Sequence, residues 1–306
     1  MERKIDARTL WAWVTAAMFA PAAQILGSVS WPWVLFLGIV GGMLWIAGAS
    51  VTRKGWRCGK AVAILQILYL IFAASVAASR CDDCWITARE GWTIPVVLLV
   101  LAACSAAQGT GAGSRCGAVL SWFVAGMFLL LVAFCLSDVE AKWLRPEIVE
   151  PEGQGAAVLL IPLAALLLPR EGKGKVWPWA AAVLILTVTV SVLAFGTLSP
   201  AVAARTEGAF FEAVRGTSIL GVAERFEAVV SAAMTLSWFC LLSLFLTAIG
   251  SMAYRIKPTW GKPAVWISAA LAALTCSYAS AVPPALAAAA ALVLWFLIPA
   301  VWPKEK

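Results

Sequence analysis

Long apolar runs with almost no charged residues follow one another along nearly the whole 306-residue chain. A helical run of about twenty such residues matches the thickness of the hydrocarbon core of a bilayer, so each run predicts a membrane-spanning helix. The sequence does not show the alternating segments of about ten residues that are typical of outer-membrane barrels. The pattern predicts about ten spans, at roughly 10–27, 31–50, 61–79, 93–109, 115–136, 154–169, 176–196, 223–252, 263–281 and 283–302.

The composition agrees with a membrane protein that has almost no soluble part. Hydrophobic residues make up 62% of the chain and charged residues 13%, whereas soluble domains carry about 25% charged residues. The connections between the predicted spans leave no room for a soluble domain, so we predict one polytopic all-α membrane domain over 1–306. The net charge of +7 is explained by the basic loops of membrane proteins, and it does not predict a nucleic-acid partner.

The distribution of Lys and Arg predicts the orientation. If the N-terminus lies inside, 16 of the 23 basic residues fall in inside segments, as the positive-inside rule requires. Residues 53–60, 170–175 and 255–262 are then cytoplasmic, and 80–92 and 197–222 face out. We therefore predict a multi-pass protein with both termini in the cytoplasm.

Two proline-bearing segments stand at matching places when the chain is divided into spans one to five and six to ten. The first contains Ala17, Phe19, Ala20, Pro21 and Gln24, and the second contains Ala157, Ile161 and Pro162. Proline removes an intrahelical hydrogen bond and crowds the carbonyl four residues back. The alternative is that each proline only kinks its helix. The matched placement favours two broken helices around a ligand site, as in inverted-repeat transporters.

The expected ligand is an amino acid, because broken helix ends offer N–H groups to a carboxylate and carbonyls to an ammonium without charged side chains. The span interiors contain almost no ionisable residues, which disfavours proton-coupled transport. The chain has no His and no catalytic serine motif, so we predict neither an enzyme nor a metal or other cofactor. Cys81 and Cys84 form a CxxC pair that is incidental or a local disulfide more readily than a metal site.

A charged cluster, Glu224, Arg225 and Glu227, begins span eight. The two glutamates are three residues apart and can share a helical face, although acidic residues at an ordinary helix start explain the pattern equally simply. Just before it, the segment GAFFEAVRG places Phe210, Phe211 and Val214 on one face, directed at the membrane or at the helix bundle.

The stretch 208–252 resembles the signature region of the spore germination receptor B-subunit family, the endospore germination permeases. The features that carry the resemblance are aromatic residues before a single Arg215, the Glu224-Arg225-Phe226-Glu227 helix start, and a long span with Trp238. Over the remaining chain the likeness is one of topology. The sequence departs from the family at Phe211 or its neighbour, where proline is usual, and it is shorter and richer in Ala.

The resemblance implies the fold of amino acid–polyamine–cation transporters, with ten helices in two inverted five-helix repeats, about 10–136 and 154–302, and unwound helices one and six. It implies a subunit that senses an amino acid or similar nutrient in the inner membrane of the spore or cell, together with A-type and C-type receptor subunits. Arg215, Glu224, Arg225 and Glu227 would then be structural or coupling residues. The alternatives are an autonomous secondary amino acid transporter and a scaffold that binds no ligand.

Overall fold

The computed structural model describes residues 4–53, 59–81, 92–144, 158, 160–171, 175–206, 208–216, 226–279 and 282–298. Its α-helices are α1 (Ala7–Ile25), α2 (Trp31–Arg53), α3 (Lys60–Arg80), α4 (Thr93–Ala107), α5 (Thr110–Cys135), α6 (Trp177–Leu198), α7 (Pro200–Ala203), α8 (Ala209–Gly216), α9 (Phe226–Ile256), α10 (Gly261–Ala279) and α11 (Pro284–Leu292). A π-helical turn, Val293–Leu297, continues α11. A short parallel pair joins β1 (Ile5–Asp6) to β2 (Arg170–Glu171).

Within the described ranges, six helical segments are long and apolar enough to cross a membrane. They are Ala7–Ser28, Trp31–Ala49, Lys60–Arg80, Thr110–Asp138, Trp177–Leu198 and Ala228–Ile256. The chain is therefore an all-α, multi-pass membrane protein. The apolar helix α4 has 15 residues, which at about 1.5 Å per residue is shorter than a hydrocarbon core of about 30 Å.

Two helices form the centre of the bundle. Of an apolar stretch of 18 residues in each span, 78% is buried in the span that contains α1 and 72% in the span that contains α9. In the span that contains α5 the buried share is 17%. Helix α9 packs against α1, α3, α4, α5 and α10. The outward side of α5 exposes large apolar side chains, among them Trp122, Phe123 and Leu129. Helices α1 and α9 are therefore the buried centre of the bundle, and α9 is called the central helix below. One side of α5 faces lipid.

The structure corrects the prediction that Pro21 breaks the first span. Helix α1 is continuous from Ala7 to Ile25 with Pro21 inside it, and a 3₁₀ turn over Leu26–Ser28 ends the segment. A proline within a helix is tolerated when neighbouring side chains satisfy the backbone groups that it releases.

The described part of the sixth predicted span, 154–169, consists of Val158 and residues 160–169. It contains a 3₁₀ segment, Ile161–Leu167, with Pro162 at its second position. The backbone at Pro162 is therefore not a regular α-helix. At about 2.0 Å per residue these seven residues extend only about 14 Å, about half of a hydrocarbon core. This irregular backbone is enclosed by protein, since its buried residues include Leu163, Ala164, Ala165 and Leu166. Such enclosure is needed within a membrane because lipid cannot hydrogen-bond backbone polar groups.

Contacts between distant segments show which residues share an end of the bundle. Ile5 N donates to Pro169 O at 2.9 Å, and the Arg255 guanidinium donates to Leu167 O at 2.9 Å. At the other end Gln24 Nε2 donates to Arg80 O at 3.0 Å. The segments predicted to be inside near residues 5, 170 and 255 therefore lie together, away from the segment at residue 80 that was predicted to be outside.

Candidate ligand cavity

The backbone around Pro21 is occupied by a side chain of the central helix. Ala20 N–H donates to Ser237 Oγ at 2.8 Å, and the same hydroxyl donates to Ala16 O at 2.6 Å. In a regular α-helix the N–H of residue 20 donates to the carbonyl of residue 16. The Ser237 hydroxyl bonds both of these groups, just before the proline. Both backbone groups are hydrogen-bonded by Ser237 of α9, so neither needs a ligand as a partner.

The other predicted site residues of α1 serve helix packing. Ala17, Phe19 and Ala20 are fully buried, and the Phe19 ring makes an edge contact with Phe210 at a centroid distance of 6.1 Å. Gln24 bonds the last residue of α3 through its amide nitrogen. Of the residues predicted on α1, Pro21 alone is among those that line the cavity described next.

Two side chains from distant parts of the sequence donate hydrogen bonds to carbonyl groups of the 3₁₀ segment. Trp295 Nε1 donates to Leu163 O at 2.9 Å, and Arg255 bonds Leu167 O. These bonds replace the α-helical partners that this backbone lacks. Ile161 lines the cavity and Pro162 is buried, while Ala157 lies outside the described residues.

A cavity of about 110 Å³ lies between α1, α3, α9, α11 and the 3₁₀ segment. This volume is of the same order as the apolar cavity of about 150 Å³ that accepts benzene in an engineered protein. Its walls are almost entirely apolar and include two indole rings. The lining residues that define its extent are Pro21, Tyr69, Arg80, Ile161, Trp238 and Trp295.

The cavity follows α3 from the middle of that helix to its last residue. Because an α-helix rises about 1.5 Å per residue, the wall from Tyr69 to Arg80 is about 16 Å long. Tyr69 Oη donates to Ala287 O at 3.2 Å, which ties the inner end of this wall to α11. The other end lies at Arg80, the one charged side chain among the described residues that line the cavity. The arrangement can enclose a small apolar body.

Arg215, one of the predicted coupling residues, does not line this cavity. Arg215 is on α8, where its guanidinium is 3.7 Å from Glu212 Oε1 and both side chains are about half exposed. Phe210, Phe211 and Val214 are buried on the opposite side of α8, and this helix packs on α1, α6 and α9. The apolar face of the GAFFEAVRG segment is therefore directed at the bundle.

The start of the central helix is described only in part. Glu227 belongs to the first turn of α9, while Glu224 and Arg225 lie outside the described residues. Their coupling role stays a prediction. Cys84 also lies outside the described part, and Cys81 is buried, with its Sγ donating to Ala77 O at 3.2 Å. Among the residues placed by the structure, no group of three or more His, Cys, Asp or Glu forms a potential metal site.

Sequence reasoning missed most of the lining residues, among them Tyr69, Arg80, Trp238 and Trp295. Arg80 had a signal, since it directly follows the apolar run of α3, but its position at the end of a span also suits an ordinary loop charge. The two tryptophans lie within spans, where an aromatic residue usually packs against neighbouring helices.

Models of known protein families and the curated proteins give no match to this sequence, so the functional argument rests on the geometry of the cavity.

Proposed function

We propose that this chain is a membrane receptor subunit that binds a small nutrient in the cavity between α1, α3, α9, α11 and the 3₁₀ segment. The observation that carries the proposal is that Pro21 and Ile161, from the two proline-bearing segments, line one cavity of small-molecule size. The resemblance of 208–252 to the germination receptor B subunits supplies the physiological setting. In that setting the ligand is an amino acid or a similar nutrient, and the partners are A-type and C-type receptor subunits.

The state of the surrounding backbone supports binding in the cavity. Ser237, Trp295 and Arg255 satisfy polar backbone groups of α1 and of the 3₁₀ segment. The cavity therefore does not need a ligand to complete its hydrogen bonds, and it can exist before the ligand arrives. A preformed site of this kind loses less free energy to ordering on binding.

The pairing of helices supports the ten-span inverted-repeat fold as part of this proposal. A shift by five spans carries α2 to α6, α3 to α9 and α4 to α10. Helix α2 packs on α6, and α3 packs on α9. The shift swaps the two helices of each pair, so each of these contacts joins equivalent helices of the two halves. The contact of α3 with α10 exchanges with the contact of α9 with α4, and both contacts are present. Five spans per half would give the halves opposite orientations in the membrane.

An autonomous amino acid transporter is the second candidate, and the same exchange of helix contacts favours it. For both functions we propose the inner membrane of the spore or cell and cytoplasmic termini, in keeping with the basic segments near residues 5, 170 and 255 at one end of the bundle.

The test is to reconstitute the full chain in nanodiscs and measure equilibrium binding of the twenty amino acids and of short carboxylates. The same protein in liposomes is then assayed for uptake of each compound that binds, with and without a sodium gradient. Saturable binding without accumulation is the expected result for a receptor subunit. Accumulation against a gradient would instead establish the transporter, and the absence of binding by any compound would overturn both functions.

A further inference from the structure

We infer that the cavity recognises the uncharged apolar body of its ligand, a branched or cyclic hydrocarbon of about six carbon atoms, and that a charged group on the ligand weakens binding. The inference rests on the proposed binding function and specifies its ligand class. It differs from the expectation from the sequence, in which the backbone of two broken helices holds the charged groups of a zwitterion.

The first argument concerns the origin of the space. Four of the lining alanines stand in pairs four residues apart, Ala73 and Ala77 on α3 and Ala287 and Ala291 on α11. Residues four apart lie on the same face of a helix, so each helix presents two consecutive turns with little side-chain volume to the cavity. A ligand beside these methyl groups makes only apolar contacts with them.

The second argument concerns the polar groups around the cavity. Among the described lining residues none is acidic, and those with a polar side-chain group are Tyr69, Arg80, Trp238 and Trp295. Each of these four residues already has an interaction within the protein. Tyr69 Oη donates to Ala287 O at 3.2 Å, and Trp295 Nε1 donates to Leu163 O at 2.9 Å. A charged group that entered the cavity would have to compete with such interactions for a partner.

The third argument comes from hydration. A carboxylate or an ammonium group that leaves water for an apolar site loses far more hydration free energy than a neutral group, unless new partners replace the water. An uncharged body of the same shape avoids most of this loss. The burial of its apolar surface still favours binding.

The aromatic wall of the cavity adds a limit on size. The Tyr69 and Trp295 rings meet edge to face at a centroid distance of 5.3 Å, and each ring is also held by its hydrogen bond to a backbone carbonyl. Trp238, on the central helix, is 2% exposed. Because these rings are packed before a ligand arrives, a body much larger than six carbon atoms would force them apart.

The experiment compares compounds of nearly equal shape that differ in charge: isovaleramide with isovalerate, and isoamyl alcohol with isoamylamine. Binding of each is measured to the full chain in nanodiscs at neutral pH, where isovalerate is an anion and isoamylamine a cation. Nanodiscs without protein correct for partition into lipid. We expect each uncharged compound to bind at least about tenfold more tightly than its charged counterpart, because only the ion loses strong hydration on entry.

One variant tests whether this binding occurs in the cavity. Ala77 lines the cavity and is 5% exposed, so Ala77→Leu should weaken the binding of isovaleramide and of isoamyl alcohol by at least about tenfold. Ala61→Leu is the matched control, because it makes the same change on the same helix at an exposed residue that does not line the cavity. It should bind as the wild type does. If Ala77→Leu does not accumulate, Ala77→Val takes its place, with an expected loss of about threefold.

The possible failures of the inference and of the proposed function are distinguishable. If the wild type binds isovalerate or isoamylamine as tightly as the uncharged counterpart, the inference is overturned and the proposed function stands. This comparison needs no variant. Equal binding of isovaleramide by the wild type, Ala77→Leu and Ala61→Leu would place binding outside the cavity and overturn both the inference and the proposed site. If neither the four compounds nor any amino acid binds to the wild type, the proposed function itself fails.

Discussion

Two neighbouring faces of the central helix α9 meet their surroundings in opposite ways. The face that contains Ser237 and Cys240 packs closely against α1 and α5, and its hydrogen bonds at these two residues join it to α1. The face that contains Trp238, Leu241 and Phe245 borders the cavity. One helix therefore provides both a closely packed helix contact and the wall of a ligand site.

Small residues explain the packed face. Trp13 of α1 donates from Nε1 to Cys240 O at 3.0 Å. Its ring lies across Gly113 and Gly117 of α5, which form a GxxxG pair, and a Cβ added at Gly117 would overlap the ring. Because lipid gives no hydrophobic drive to helix association, close approach over small residues and hydrogen bonds between helices stabilise such contacts.

Short irregular backbone explains the open face. Opposite Trp238 and Phe245 the neighbour is the 3₁₀ segment Ile161–Leu167, and α11 begins only at Pro284. Within the described residues, neither element presents a long regular α-helix with a surface of ridges and grooves to α9. The cavity therefore lies where the described backbone beside α9 is a short 3₁₀ segment with carbonyls bonded to distant side chains.

The largest expected effect tests the packed face. Gly117→Ala should destabilise the protein by about 1–3 kcal/mol, because the new methyl group forces the Trp13 ring to move. Gly126 lies on the same helix and has nothing within 4 Å of an added Cβ. Gly126→Ala should therefore stabilise by about 0.5–1 kcal/mol through helix propensity alone. Unfolding of the two variants in detergent with added SDS measures both changes, and effects of the same sign would refute this account of the packed face.

A smaller effect is expected at the bond between α9 and the proline turn of α1. Ser237→Ala should cost about 1–2 kcal/mol, because Ala20 N–H and Ala16 O lose the hydroxyl that bonds both. Thr235→Ala is the control, since Thr235 Oγ1 donates within its own helix, to Ser231 O, and such a bond adds little stability. The same unfolding assay applies. Equal losses in the two variants would show that the Ser237 bridge has no special role.

The smallest effect is expected at Gln66 on α3. Its Nε2 makes a long bond of 3.3 Å to Leu294 O, and its buried Oε1 has no hydrogen-bond partner among the described residues. Gln66→Met keeps most of the volume and removes the desolvated oxygen, so stability should change by less than about 0.5 kcal/mol or rise. Gln66→Ala, which leaves a void, should destabilise more. A loss of about 2 kcal/mol in the Met variant would show that the polar contact is worth more than its geometry indicates.

The positions of the helices were largely predictable from the sequence. The predicted span at 61–79 corresponds to α3 at Lys60–Arg80, and the predicted span at 223–252 corresponds to α9 at Phe226–Ile256. A hydrophobic run determines where a helix can lie in a bilayer, and this information is local. In the sixth predicted span the described backbone is a 3₁₀ segment at Ile161–Leu167, and an apolar run by itself does not distinguish such a segment from an α-helix.

The site was predictable only in part, because it depends on contacts between residues far apart in the chain. Ser237 is more than 200 residues from the Ala16 and Ala20 backbone groups that it bonds. No local pattern reveals that a serine will satisfy the turn before Pro21. In the same way, the position of Arg80 beside the cavity depends on the contact between the end of α3 and Gln24 of α1.

The central claim is that a small molecule binds in the cavity, and one pair of variants tests it most directly. Ala291 lines the cavity and is 2% exposed, whereas Ala289 lies two residues earlier on α11 and is exposed. Equilibrium binding of isovalerate and L-leucine is measured to the wild type, Ala291→Phe and Ala289→Phe in nanodiscs. Ala291→Phe, which occupies the cavity with a ring, should weaken binding by at least about tenfold. Ala289→Phe, whose ring is directed at lipid, should bind as the wild type does. Equal affinities in all three proteins would contradict the claim.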